Sequence, residues 1–147
     1  MDTATQLIEA NMNLFAGAWN AHDAQQLVPL FTPDADFVNV LGQWNKGRDE
    51  IVAEHAKSFA TVFSRSHMEM LETRVKFIKP DVAIFHTTWH LVGMTTPEGQ
   101  PLPDRHGVLT GVATQHGDAW LLDAVHNTDS LTPDSYQPYG GQKKETS

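Results

Sequence analysis

The sequence predicts an α+β fold in which three helices from the N-terminal half cover one curved antiparallel sheet. Apolar residues recur at helical spacing in the first half of the chain, whereas four runs rich in β-branched and aromatic residues follow His67. Because helices and long strands occupy different parts of the chain, the order favours α+β over an alternating α/β architecture. We expect this sheet and its helices to enclose a cone with one open end.

The first helix is predicted to begin at Thr3-Ala4-Thr5-Gln6, which fits a capping box. One helical face follows, because apolar residues recur at spacings of 4, 3 and 4 in Ile8, Met12, Phe15 and Trp19. Asp23 is positioned to cap a short second helix over 24–31, which Thr32-Pro33-Asp34 would end.

The third helix is predicted to open at Gly47-Arg48-Asp49-Glu50, where acidic residues suit the positive end of the helix dipole. Its apolar face comprises Val52, Ala56, Phe59 and Phe63. The predicted strands cover 35–41, with 43–45 pairing back, and then 67–78, 82–93, 107–115 and 119–128. Turn residues separate most of these runs, so consecutive strands should pair as hairpins in one antiparallel sheet.

Length favours one domain, because 147 residues lie within the usual size of a single hydrophobic core. We place that domain at residues 1–130. Residues 131–147 contain Pro, Gly, Lys and Ser with little apolar content, so we expect a partly disordered tail. With no apolar stretch long enough to span a membrane and no secretory signal at the start, we expect a cytoplasmic protein.

Composition excludes several classes of function. The net charge is −8 and the ten Lys and Arg are scattered, so nucleic acid and anionic membranes are not expected partners. The absence of cysteine excludes disulfides and thiolate chemistry. No dinucleotide fingerprint or P-loop occurs, and we expect no cofactor.

Two histidines on one predicted strand raise the question of a metal site. His86 and His90 are four residues apart, which on a strand separates them by roughly 13 Å, too far for one ion to bridge. We therefore expect no metal. Strand alternation places both on the face opposite Phe85, Thr87 and Trp89, although a shift of one residue would bring His86 into the interior.

Four segments carry a resemblance to known proteins: Ala18-Trp19-Asn20-Ala21-His22-Asp23, 30–37, 47–51 and 120–129. They resemble the nuclear transport factor 2-like superfamily, which includes SnoaL-like proteins and ketosteroid isomerases, over about residues 3–130. Residues 36–42 and 126–129 are most similar to the uncharacterised SgcJ/EcaC-type members. The resemblance implies a cystatin-like roll, a pocket between helices and concave sheet, and a homodimer formed through the sheet.

The chain departs from the ketosteroid isomerases at the positions that carry their chemistry. Those enzymes place a Tyr acid where this chain has Phe15 and an Asp base where it has Asn39. Their second oxyanion-hole acid falls near Thr110 or Gly111. Since none of these side chains performs that acid–base work, we expect the protein not to be a ketosteroid isomerase.

The resemblance also implies which residues face the pocket. His55 would move a proton as general base or acid, with a buried histidine bonded to a backbone carbonyl as the alternative. Asn39 and Asn127 would hold a ligand oxygen, or else cap turns and sheet edges. Asp123 would be a carboxylate base, or an exposed charge on the outer face. The expected ligand-packing residues are Phe15, Trp19, Phe37, Phe59, Phe85, Thr87 and Trp89.

Two functions follow from these residues. One is a cofactor-independent isomerase, dehydratase or cyclase acting on a hydrophobic carbonyl compound. The other is a non-catalytic module for ligand binding or dimerisation. A cavity shared by His55 and Asn39 would favour the enzyme, whereas a cone filled by Trp19, Phe37 and Phe63 would favour the module.

Overall fold

The computed structural model describes residues 2–131, so the predicted tail lies outside it apart from Leu131. It contains helix α1, a 3₁₀ helix, helix α2 and six strands. In chain order these are α1 Thr3–Ala21, the 3₁₀ helix Ala24–Leu30, β1 Phe31–Val38, β2 Trp44–Lys46, α2 Arg48–Ala60, β3 His67–Lys79, β4 Val82–Val92, β5 Arg105–His116 and β6 Ala119–Asp129. The predicted α+β class is confirmed.

The six strands form one sheet in the order β2-β1-β6-β5-β4-β3. The predicted antiparallel pairing is confirmed from β3 to β6 but is wrong at one position, because β1 runs parallel to β6. Only a tight hairpin forces neighbours to be antiparallel. Most of the chain separates β1 from β6, so nothing imposes that direction on them.

Two helix boundaries near the N-terminus each differ by one residue from the prediction. Asp2, not Thr3, caps α1, since its Oδ1 accepts from the Thr5 amide at 2.8 Å. Phe31 already belongs to β1, so Pro33 lies within a strand rather than ending a helix. The β1–β6 register is irregular between Phe31 and Asp36, which lets the strand accommodate a residue without an N–H.

The interior lies between α1, α2 and one face of the sheet. The predicted apolar face of α1 is buried along its whole length, at Ile8, Met12, Phe15 and Trp19. Two aromatic rings of β4 lie across glycines of β5, with Trp89 opposite Gly107 and Phe85 opposite Gly111. Helices within residues 2–131 are too short or too polar to cross a membrane.

Candidate active site

A cavity of about 180 Å³ lies between α1, α2 and the sheet. An engineered apolar cavity of about 150 Å³ accommodates benzene, so this one has room for a compound with a single ring. Its wall reaches the surface at Leu41, which is 79% exposed. The lining is mostly apolar, and its polar members are Asn39, Gln43, Asn45, Glu54, His55, Ser58, Arg105 and Asn127.

His55 lines this cavity from α2. Its Nδ1 lies 2.8 Å from the carbonyl oxygen of Ile51, one helical turn earlier. A carbonyl oxygen only accepts, so Nδ1 carries the proton and donates it. In the neutral ring Nε2 is then an unprotonated nitrogen, and it makes no hydrogen bond to any described residue.

The surroundings of His55 keep its ring neutral. Four aromatic side chains place their rings at steep angles to it, with Phe37 closest at 4.8 Å between centroids, followed by Phe59, Phe15 and Trp19. Burial among them lowers the pKa of His55 below 6.5, and the Ile51 hydrogen bond and the nearby Glu54 charge oppose this only in part. At neutral pH His55 is therefore a base without a proton on Nε2.

Asn127 enters the cavity from β6 and is fixed by the β4 indole. Trp89 Nε1 donates to Asn127 Oδ1 at 2.8 Å. Because an indole N–H only donates, its partner must be the amide oxygen, and the contact therefore fixes the orientation of the Asn127 side chain. The Nδ2 group is left as a donor that Trp89 does not use. Nδ2 makes no hydrogen bond within residues 2–131.

Asn39 also borders the cavity, but its amide is occupied by the β1–β2 turn. Oδ1 accepts from the backbone amides of Leu41 and Gln43, both at 3.0 Å. Nδ2 donates to the Gln43 side chain at 2.9 Å. The structure thus places Asn39 in the turn-capping arrangement that the sequence left open as an alternative.

Asp123 does not line the cavity. Val112 pairs with Ala124 and Ala113 with Leu122, so Asp123 is the extra residue of a β-bulge. Simple alternation from Asn127 points Asp123 inward, and the bulge inverts that parity. Its carboxylate accepts instead from Thr114 Oγ1 at 2.5 Å.

The predicted ligand-packing residues divide into two groups. Three of them line the cavity: Trp19, Phe37 and Trp89. The other four are buried behind or beside it: Phe15, Phe59, Phe85 and Thr87. Of these, Phe15 stacks on Phe37 with centroids 6.1 Å apart, and so supports the wall without forming it.

Arg105 is a cavity residue that sequence reasoning did not select. The predicted strand began at Gly107, whereas β5 begins two residues earlier. Alternation along the full strand puts Arg105 on the same face as Gly107 and Leu109, which is the inner face. That alternation was the signal available in the sequence.

The histidines of β4 lie on the outer face, away from the cavity. His86 is exposed, and His90 stacks on His106 with ring centroids 4.3 Å apart. His90 Nε2 also lies 3.5 Å from an Asp104 carboxylate oxygen. Within residues 2–131 no group of three His, Asp or Glu side chains is arranged to hold a metal ion.

Comparison with known proteins identifies the family. The sequence profile of the SnoaL-like domain matches residues 13–116. The chain belongs to the SnoaL-like domain family. None of the curated proteins matches the sequence. The closer resemblance to SgcJ/EcaC-type members stays a prediction.

Solved structures place this SnoaL-like domain among cystatin-like and nuclear transport factor 2-like folds. An uncharacterised cystatin-like protein from Caulobacter vibrioides is 29% identical, with a TM-score of 0.79 over 95% of this chain and 97% of that chain. A nuclear transport factor 2-like protein from Salmonella enterica is 16% identical, with a TM-score of 0.77 over 88% and 93%. A protein described as a scytalone dehydratase, from Novosphingobium aromaticivorans, is 15% identical, with a TM-score of 0.73 over 86% and 83%.

Proposed function

We propose that this SnoaL-like protein is a cofactor-independent enzyme that moves a proton on a small hydrophobic carbonyl compound. Isomerisation, dehydration and cyclisation of such compounds share one route, which begins with a proton transfer next to the carbonyl. His55 is the base in this proposal, and the aromatic wall packs the body of the ligand. One structural neighbour is described as a scytalone dehydratase, which agrees with this reaction class but at 15% identity supports only the fold.

The observation that carries the proposal is the state of the His55 ring. The Ile51 carbonyl fixes the proton on Nδ1 and leaves the Nε2 lone pair available beside a mostly apolar cavity. A general base is most effective when its pKa lies near the working pH, because it is then unprotonated and still basic enough to accept a proton. His55 Nε2 takes a proton from the carbon next to the carbonyl, the electron pair of that C–H bond forms a carbon–carbon double bond, and the π pair of the C=O bond moves to oxygen to give an enolate.

The test is exchange of carbon-bound protons in single-ring ketones, beginning with the methyl protons of acetophenone in D₂O. We expect the protein to accelerate exchange above buffer, as followed by loss of the proton NMR signal. His55→Gln should reduce the protein-dependent rate by about 10²-fold or more, since general-base catalysis contributes about 10²–10⁴-fold. His86→Gln is the matched control, because His86 is exposed on the opposite face of the sheet.

Two outcomes would contradict this proposal. One is equal exchange by the His55→Gln variant and the unaltered protein. The other is a ketone that binds in the cavity but never exchanges, which would make the protein a ligand-binding module instead.

A further inference from the structure

Arg105 is a cation in the cavity wall that the proton transfer proposed for His55 does not use. Its Nε and Nη2 both donate to Asp129 Oδ1, at 3.0 Å and 2.7 Å. The guanidinium also lies over the Trp89 ring, 5.7 Å from the ring centroid. These contacts hold one edge of the guanidinium and fix its position.

The other edge of the guanidinium is largely unused. Among the described residues, Nη1 donates a hydrogen bond only to the Met94 sulfur, at 3.5 Å, and sulfur is a weak acceptor. Trp89 links the guanidinium to Asn127, because its ring packs against Arg105 and its indole N–H donates to Asn127 Oδ1. The Nη1 group and the Asn127 Nδ2 group are therefore two fixed donors on neighbouring strands that border one cavity.

The charges around these two donors indicate which kind of ligand oxygen they bind best. Asp129 neutralises Arg105, and Glu54 adds a negative charge to the cavity wall. The site therefore offers donors without surplus positive charge, which suits a neutral oxygen more than a carboxylate. A preorganised guanidinium gains most when negative charge develops on the oxygen during reaction.

We propose that Arg105 and Asn127 form the subsite for the ligand's carbonyl oxygen, with Asp129 as the positioning residue for Arg105. This rests on the function proposed above and narrows its substrate class to single-ring ketones or aldehydes. It also replaces Asn39 as an oxygen-binding residue, since the Asn39 amide is committed to its turn.

The test compares binding of three fluorinated probes by ¹⁹F NMR titration. 4-Fluoroacetophenone carries the carbonyl, 4-fluoroethylbenzene has nearly the same shape without it, and 4-fluorobenzoate carries a carboxylate. We expect the ketone to bind about tenfold more tightly than the hydrocarbon, the size expected for a hydrogen bond to a charged donor. The benzoate should bind more weakly than the ketone.

Two variants remove the donors separately. Asn127→Asp keeps an acceptor for Trp89 and removes the amide donor, and Arg105→Gln removes the guanidinium. Each should reduce the preference for the ketone by about fivefold or more while leaving hydrocarbon binding within about twofold. Unchanged hydrocarbon binding also shows that the variant has kept the fold of the cavity.

The outcomes separate this subsite from the function of His55. A ketone preference that survives in either variant would overturn this two-donor subsite. So would a result in which Arg105 is needed to bind the benzoate and the ketone does not bind. His55→Gln should keep the ketone preference, because it leaves both donors in place. Loss of exchange in that variant with the preference retained supports both proposals, whereas retained exchange overturns only the assignment of His55.

Discussion

His55 is the residue at which burial, chemistry and stability are linked. Burial holds its pKa below 6.5 in the folded protein, whereas in the unfolded chain the ring titrates near that ordinary value. Below about pH 6.5 the unfolded chain therefore binds a proton at His55 that the folded protein does not bind. The stabilising effect of the neutral ring is complete above this pH and is lost as the pH falls towards the lower pKa of the folded state.

The prediction concerns the free energy of unfolding between pH 7 and pH 5. In the unaltered protein it should fall faster with acidification than in His55→Gln, by at most about 1.4 kcal/mol per pH unit, the limit for one proton. Urea denaturation at pH 7, 6 and 5 measures both slopes. All other titrating groups are common to the two proteins. Equal slopes would therefore show that the pKa of His55 is the same in the folded and unfolded states.

At the scale of elements, the pairing of β4 with β5 builds the cavity wall. Trp89 lies across Gly107, and a Cβ there would clash with the Trp89 ring and with the Thr128 carbonyl. Gly107→Ala should therefore destabilise the protein by about 1–3 kcal/mol, as overpacking typically does. It should also displace the indole from Asn127, which a shift of the Trp89 indole N–H signal in a ¹H–¹⁵N NMR spectrum would reveal.

Gly17 provides the control for this substitution. It lies in α1, is exposed, and has open space where a Cβ would be added. Gly17→Ala should leave the indole signals unchanged and stabilise the helix slightly, because alanine suits a helix interior better than glycine. A Gly107→Ala variant as stable as Gly17→Ala would contradict the close packing of Trp89 on β5.

Helices and strands could be predicted from the sequence where one regular repeat of apolar residues runs through the whole segment. The 3.6-residue repeat from Ile8 to Trp19 identified both α1 and its buried face. Irregular pairing was not predictable in the same way, because the bulge at Asp123 depends on the register of β5 and β6 and leaves no mark in the residue pattern. Arg105 was missed for a different reason, since strand ends are fixed by pairing with a partner rather than by composition.

On the scale of the whole molecule, the helices within residues 2–131 cover one face of the sheet and leave the other uncovered. The other face carries half-buried apolar side chains at its centre, including Ile84, Val108 and Val112. Ile84 pairs with Val112, which pairs with Ala124, so an apolar row crosses three strands. A second copy of the chain would complete the burial of this row, in line with the homodimer that the family resemblance implies.

The corresponding prediction is a dimer that depends on the outer face of the sheet. Val112→Glu should give monomers in sedimentation velocity while leaving the far-ultraviolet spectrum unchanged, because a carboxylate in a desolvated apolar interface is costly. Leu14→Glu on α1 is the control, since Leu14 is 57% exposed on the helical side and should not affect association. With a net charge of −8 on each copy, association should strengthen as salt screens the repulsion. A monomer at every salt concentration, or a dimer that tolerates Val112→Glu but not Leu14→Glu, would move the interface away from the sheet.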